Sequence, residues 1–135
     1  MAEYLFVYGS LLSRAAHPTH RVLREHAGLL GEASTPGRLF DLGSYPGAVP
    51  DPSGRERITG ELYLIKPASP LLQLLDEYEG CRPEDPRPHP YRRVQVRVET
   101  AQGRILAAWL YLYNHPVAAG RLIESGNYLD RIRQR

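Results

Sequence analysis

Hydrophobic and polar positions alternate along much of the chain with the two-residue period of a half-buried β-strand. The clearest runs are ERITGELYLI, residues 56–65, and YRRVQVRVET, residues 91–100. YLFVYG is a short aromatic and β-branched run that stops at Gly9, and RILAAWLYLYN, residues 104–114, is apolar on both faces. A strand of the last kind either is buried on two sides or lines a cavity. The pattern predicts a mostly antiparallel sheet.

Two other segments repeat their apolar residues with a helical period. The first, SRAAHPTHRVLREHAG, residues 13–28, predicts a capped lead-in and a short helix that contacts the core through Val22 and Leu23 and ends at Gly28. GRLFDLGSYPGAVP, residues 37–50, follows. It predicts a strand and then a loop, because glycine and proline interrupt its second half.

LLQLLDEYEG, residues 71–80, predicts the second helix, with Ser69 as a plausible N-cap and Pro70 in the first turn. One face of this helix is apolar and the opposite face polar: Leu71, Leu72, Leu74, Leu75 and Tyr78 against Gln73, Asp76 and Glu77. CRPEDPRPHP, residues 81–90, has four prolines and predicts an extended loop, which could border a pocket.

Glu79 is the exception to this amphipathic pattern. At about 100° per residue its side chain projects between Leu72 and Leu75, toward the interior. An ionised carboxylate is costly there unless it is paired, and burial raises the pKa of a carboxyl group toward the range of a general acid or base. The alternative is that the last helical turn frays and Glu79 turns into water.

Composition favours one folded domain over residues 1–135. Hydrophobic residues make up 42% and charged residues 24% of the chain, near the averages of soluble globular domains, and no stretch has the composition of a long linker. About five or six strands and two helices predict an α+β fold. Closure of the sheet would remove the edges that such short strands leave exposed.

Charge and hydropathy argue against two classes of partner. Net charge is +2 and the arginines are scattered from Arg14 to Arg135, so we expect no nucleic-acid partner. Strand alternation places Arg93 and Arg97 on a solvated outer face. No apolar run approaches the roughly 20 residues of a membrane span, and Glu3 stands where a signal peptide would carry positive charge. We therefore expect no membrane partner and a cytoplasmic location.

YGSL, residues 8–11, is the second stretch with candidate chemistry. Gly9 permits a sharp turn that points successive main-chain N–H groups the same way, and such a nest binds anions. It can hold a carboxylate or a developing oxyanion. Tyr91 and Tyr111, two of nine tyrosines, are candidates for lining a pocket with a hydroxyl available for hydrogen bonding, and the alternative is that they are core or rim residues.

Together these segments resemble a known family. VYGSL, HPTHRVL, TPGRLFDLGSYPGAV, TGELYLI, LDEYEG, YRRVQVRV, AWLYLY and IESGNYL occur in family order over nearly the whole chain. On these motifs the sequence is similar to the gamma-glutamylcyclotransferase-like superfamily, closest to its gamma-glutamylamine cyclotransferase branch.

The resemblance implies a small, mostly antiparallel β-barrel of five to six strands with two or three flanking helices and a cavity at one end. Family members release 5-oxoproline from gamma-glutamyl compounds. In the family the loop cradles the gamma-glutamyl group through backbone amides, which here maps onto Tyr8, Gly9, Ser10 and Leu11. The catalytic glutamate maps onto Glu79, the residue that the helical pattern also singles out.

The expected reaction needs no cofactor and no metal ion, and the expected partner is a small gamma-glutamyl amine or gamma-glutamyl amino acid. Relatives that metabolise glutathione carry asparagine at the fourth position of the loop motif, whereas this chain has Leu11. This difference favours amine substrates over amino-acid ones. For the assembly we expect a monomer or a weak dimer.

Four other hypotheses compete with this one. A cysteine hydrolase would pair Cys81 with one of the histidines, and a metal site would need ligands beyond His17 and His20. A glycosidase would use Asp76 and Glu79, although Asp76 belongs to the polar face. The strongest alternative is a binding or sensor module that keeps the barrel and the loop but performs no turnover.

Overall fold

The computed structural model describes residues 2–9, 20–43, 45–116 and 120–129. Along them the elements follow the chain in this order: β1 Tyr4–Val7, α1 His20–His26, β2 Ala27–Pro36, β3 Arg38–Asp41, β4 Pro46–Val49, β5 Arg57–Ile65, α2 Leu71–Glu79, β6 Tyr91–Thr100, β7 Ile105–Tyr113 and β8 Arg121–Leu122. Two of the predicted loop residues, Ser10 and Leu11, lie outside the described residues.

Five strands close into a barrel in the order β1-β5-β2-β6-β7. β1 closes it, because this strand pairs antiparallel with β5, with Phe6 opposite Leu62, and parallel with β7, with Leu5 opposite Trp109. The other neighbouring pairs are antiparallel. The expected α+β fold with a small, mostly antiparallel barrel of five to six strands and flanking helices is confirmed.

Close packing inside the barrel explains a glycine in the middle of β5. A Cβ atom at Gly60 would collide with the main-chain carbonyl oxygen of Val7 and would lie 2.8 Å from Cζ of Phe6, so no side chain fits there. Phe6 and Leu62 are almost completely buried. Burial of such side chains supplies the main driving force for the fold, at about 25 cal/mol per Å² of apolar surface.

A second, three-stranded sheet, in the order β4-β3-β8, lies beside the barrel. Two tyrosine hydroxyls of the barrel side attach to β4: Tyr8 Oη accepts the N–H of Ala48 at 3.2 Å, and Tyr91 donates to the carbonyl of Pro46 at 2.7 Å. These hydrogen bonds fix the small sheet against one end of the barrel.

α2 begins one residue later than expected, since Pro70 holds the N-cap position and Leu71 opens the helix. The Ser69 hydroxyl still accepts the N–H of Leu71 at 3.1 Å. The helix runs through Glu79, and Gly80 follows it in the left-handed conformation at φ 72°. The last turn is therefore closed, and Glu79 is held within it.

Two strand predictions were wrong. The first helix was expected to end at Gly28, but α1 ends at His26. β2, with the sequence AGLLGEASTP, begins at the next residue, Ala27. PGAV forms β4, where a loop was expected. Both segments are poor in β-branched residues, so the strands depend on their partners more than on local preference.

Three expectations about exposed faces were also wrong. In β5, strict alternation predicts that Leu64 shares the buried face of Leu62 and that Tyr63 lies on the opposite face, yet Tyr63 is 2% exposed and Leu64 is 37% exposed. The Tyr63 ring packs edge-on against His20, with the ring centres 6.4 Å apart. Asp76 and Arg93 were expected on solvated faces, but they are paired with each other and partly buried where α2 covers β6.

Neither helix of the described part has the length and apolarity needed to cross a membrane.

Candidate active site

A pocket of about 370 Å³ lies between the end of the barrel, the small sheet and the C-terminal end of α2. Its described lining consists of Phe6, Val7, Tyr8, Gly9, Tyr45, Pro46, Tyr78, Glu79, Pro90, Tyr91 and Tyr111. Five residues that the sequence singled out are thus brought together from four parts of the chain, namely Tyr8, Gly9, Glu79, Tyr91 and Tyr111. The proline-rich loop also reaches the pocket, through Pro90.

Glu79 provides the only carboxyl group in the described lining. As the last residue of α2 it stands where the helix meets the pocket, and its side chain is partly buried. Burial raises the pKa of this carboxyl group from its ordinary value to about 7. A group with that pKa is present in both protonation states near neutral pH, so it can accept a proton and return it.

All three candidate tyrosines donate their hydroxyl protons to the protein. Tyr8 donates to the main-chain carbonyl of Tyr111 at 2.7 Å, Tyr91 to that of Pro46 at 2.7 Å, and Tyr111 to Oδ1 of Asp76 at 2.7 Å. Burial, the largest cause, raises the pKa of each phenol, so the hydroxyls stay protonated. Toward a ligand, such hydroxyls offer lone pairs rather than protons.

Gly9 is required by close packing. The sequence suggested a turn that only glycine permits, yet the φ of Gly9 lies outside the left-handed region. A Cβ atom at this position would lie 2.6 Å from Cγ of Pro46. The main chain at Gly9 therefore lies directly against Pro46 of β4, closer than a residue with a side chain would allow.

Sequence reasoning missed the aromatic side of the pocket. Tyr45 and Tyr78 are both exposed at its rim, and Tyr78 was expected on the buried face of α2. The rings of Tyr45 and Tyr91 meet edge to face at 6.4 Å, and those of Tyr91 and Tyr113 at 5.5 Å. The high number of tyrosines was the only hint of this aromatic wall in the sequence. The tyrosine rings come together because β6 pairs with β7 and β4 lies beside them.

Sequence reasoning also missed the surroundings of Asp76. Its carboxylate accepts two hydrogen bonds from Arg93, from Nε at 2.8 Å and from a terminal nitrogen at 3.1 Å, besides the one from Tyr111. It lies outside the described pocket lining. A carboxylate pair of Asp76 and Glu79 facing one substrate, as a glycosidase would need, is therefore not formed.

The thiol of Cys81 is a poor candidate for a nucleophile. Burial, together with the neighbouring Asp76 carboxylate, raises the pKa of Cys81 to about 11, so that little thiolate is present near neutral pH. Within residues 2–9, 20–43, 45–116 and 120–129, no group of three or more potential ligands is arranged to hold a metal ion. His17, considered above as a ligand, lies outside these ranges.

Comparison with known proteins places this chain in a family. The sequence matches the model of the family "Gamma-glutamyl cyclotransferase, AIG2-like" over residues 5–130. It is 40% identical over 128 residues to the "Gamma-glutamylcyclotransferase family protein ytfP" of Citrobacter rodentium, an alignment that covers 94% of this chain and 96% of that one.

Two solved structures resemble this fold over nearly the full length of the chain. The solution structure of protein ytfP from Escherichia coli shares 37% identity at a TM-score of 0.64, covering 96% of this chain and 98% of that one. The crystal structure of YkqA from Bacillus subtilis shares 27% identity at a TM-score of 0.72, covering 99% of this chain but only 43% of YkqA. The chain therefore belongs to the AIG2-like family of gamma-glutamyl cyclotransferases.

Proposed function

We propose that this protein is a gamma-glutamylamine cyclotransferase, which converts a gamma-glutamyl amine into 5-oxoproline and a free amine. The observation that carries the proposal is the position of Glu79: it is the only carboxyl group in the described lining of the pocket, and burial raises its pKa to about 7. Such a group suits a reaction in which protons must be removed from one nitrogen and delivered to another.

The substrate supplies its own nucleophile. Its α-amine attacks the γ-carbonyl carbon, the new C–N bond closes the five-membered lactam, and the original amide C–N bond breaks. The α-ammonium nitrogen loses two protons as it becomes the lactam N–H: the ionised Glu79 takes the first before or during attack, and the second leaves once the new C–N bond has formed. The protonated Glu79 gives one proton to the departing amide nitrogen, and the released amine takes up the other as an ammonium ion. No water is consumed and no covalent enzyme intermediate forms, so the enzyme contributes mainly geometry and proton transfer.

The pocket has the polarity that the α-ammonium group requires. Tyr91 and Tyr111 have donated their hydroxyl protons elsewhere, so their oxygens remain acceptors. Glu79 in its ionised form adds a negative charge. The substrate carboxylate or the developing oxyanion would then be bound by backbone N–H groups of the loop from Tyr8 through Gly9, Ser10 and Leu11, as the family resemblance implies.

The leaving amine would lie toward the aromatic rim. Tyr45 and Tyr78 are exposed beside the pocket, and Pro90 of the proline-rich loop borders it. Flat, apolar walls suit an alkylamine chain, and the faces of tyrosine rings attract a distal ammonium group. The apolar, aromatic rim and Leu11 together favour an amine over an amino acid as the leaving group.

The test is release of 5-oxoproline, measured by mass spectrometry, from gamma-glutamyl-ε-lysine, gamma-glutamylputrescine, gamma-glutamylalanine and glutathione. We expect the first two to be turned over fastest, and we expect turnover to depend on Glu79. If calorimetry shows that a ligand from this panel binds but no 5-oxoproline appears, the protein is a binding or sensor module and the proposal that it is an enzyme is wrong.

A further inference from the structure

Asp76 lies one helical turn before Glu79 on α2, and its side chain connects the helix to two strands of the barrel. Arg93 of β6 binds both oxygens of this carboxylate, Nε to Oδ1 at 2.8 Å and a terminal nitrogen to Oδ2 at 3.1 Å. The Tyr111 hydroxyl of β7 donates to Oδ1 at 2.7 Å. We call these three residues the Asp76 cluster.

The partners of Asp76 are themselves held in place. Arg93 and Tyr111 lie directly opposite each other in the register of β6 and β7. The guanidinium carbon of Arg93 lies 4.5 Å from the centre of the Trp109 ring, and stacking of this kind limits its rotation. The side chains of Asp76 and Arg93 are only 18% and 25% exposed, so water competes weakly for this pair.

The main chain of Asp76 takes part in the same end of the helix. Its carbonyl accepts the N–H of Cys81 at 3.0 Å, and the carbonyl of Glu77 accepts the N–H of Gly80 at 3.2 Å. These two bonds form a Schellman motif around Glu79. Last turns of helices ordinarily fray, but here one residue anchors the turn through both its side chain and its main chain.

We propose that Asp76 is a positioning residue: with Arg93 and Tyr111 it fixes the last turn of α2 on the barrel, and thereby holds the Glu79 carboxyl group at the pocket wall in the geometry that proton transfer requires. This inference rests on the proposed function. Asp76 acts through Glu79, since it is not part of the described pocket lining. A displacement of about 1 Å at a reacting group costs roughly a hundredfold in rate.

The first test compares Asp76→Asn and Arg93→Gln, neither of which changes the described pocket lining, with the wild type in the 5-oxoproline assay. We expect kcat to fall about 10- to 100-fold while KM changes less than about threefold, because the pocket remains and only the proton-transfer geometry is lost. The matched control is Asp85→Asn, which breaks the Arg82–Asp85 ion pair of 2.8 Å in the loop after α2. The control should keep the wild-type kcat, and cluster variants that also keep it would overturn the proposal.

Tyr111 also lines the pocket, so its hydroxyl could act on the substrate directly. The double variant Asp76→Asn with Arg93→Gln tests the anchor without this second role, because neither residue is part of the described pocket lining. If both residues act through the same anchor, the double variant is no less active than the less active of the two single variants. If the losses multiply, the two residues do not act as one unit and the proposal is overturned.

A third measurement does not depend on turnover. The pKa of Glu79 can be followed by NMR with a ¹³C-labelled carboxyl group, assigned by its loss in Glu79→Gln. In Tyr111→Phe, which changes no charge, release of the helix end should expose Glu79 and lower its pKa from about 7 by at least a unit. In Arg93→Gln, removal of a positive charge alone would raise that pKa, whereas exposure would lower it.

A lower pKa in both variants, with circular dichroism unchanged, is the expected result. An unchanged pKa in Tyr111→Phe together with a higher one in Arg93→Gln would overturn the positioning role. This readout also separates the two proposals: a wild type that turns over no substrate in the panel argues against the proposed function, while the pKa of Glu79 still decides whether Asp76 fixes its position.

Discussion

The hydroxyl of Tyr8 donates a hydrogen bond of 2.7 Å to the main-chain carbonyl of Tyr111, 103 residues further along the chain. The same oxygen accepts the N–H of Ala48 at 3.2 Å. One buried hydroxyl thus joins the end of β1 to β7 of the barrel and to β4 of the small sheet. The walls of the pocket depend on this bridge.

Tyr8→Phe should therefore destabilise the protein, by about 1–3 kcal/mol, because a buried N–H and a buried carbonyl each lose a partner. Urea unfolding measures the free energy of unfolding. Tyr4→Phe, which removes a hydroxyl at the start of β1, serves as the control and should cost less. Equal losses of unfolding free energy in the two variants would mean that the hydrogen bonds of Tyr8 contribute no more to stability than the hydroxyl of Tyr4.

Glu79→Gln should fold normally and lose activity by orders of magnitude, since the amide cannot exchange a proton with the substrate. The assay is 5-oxoproline release, and Glu77→Gln, at a solvent-exposed position of the same helix, is the matched control. Retention of more than about a tenth of the wild-type rate would remove Glu79 from the catalytic role.

The rate should also depend on pH in a definite direction. Because burial raises the pKa of Glu79 to about 7, kcat/KM should fall about tenfold per unit below pH 7, as the carboxylate that accepts the proton disappears. A pH profile of the wild type between 5 and 9 tests this. A flat profile down to pH 5 would mean that the base has an ordinary carboxyl pKa.

Stability provides a second pH test of the same residue. The folded state raises the pKa of Glu79, so it prefers the protonated form, and the wild type should lose stability as pH rises from about 4.5 to about 7. Above pH 7 the deficit stays constant. Glu79→Gln has no charge to bury and should be more stable than the wild type at pH 8, by about 1–3 kcal/mol, with the difference shrinking toward pH 5. Thermal unfolding at the two pH values measures it, and a variant less stable at pH 8 would contradict the prediction.

Gly9→Ala should lower both stability and activity. The new methyl group would meet Cγ of Pro46 at 2.6 Å, and overpacking of this kind costs about 1–3 kcal/mol. Gly28→Ala is a suitable control, because a Cβ there has nothing within 4 Å. Unfolding curves and the 5-oxoproline assay should separate the two variants; similar behaviour would mean that the loop moves away from Pro46 at little cost.

The sequence by itself determined the elements whose side chains follow a strong local period. β6 was predicted at its observed bounds, and α2 to within one residue of its observed start. Both predictions worked because alternating valines suit only a strand and an amphipathic leucine pattern suits only a helix. The inward direction of Glu79 followed from the same helical period. These predictions need no knowledge of distant partners.

Only the tertiary structure decided how these elements meet. β2 and β4 have weak local preferences and form strands because β5 and β3 supply hydrogen-bonding partners. Asp76 was assigned to a solvated face, since the helical pattern contains no information about Arg93 on β6 or Tyr111 on β7. Local period specifies the elements, whereas the pocket and the anchoring of Glu79 come from contacts between residues far apart in the chain, which a local pattern cannot encode.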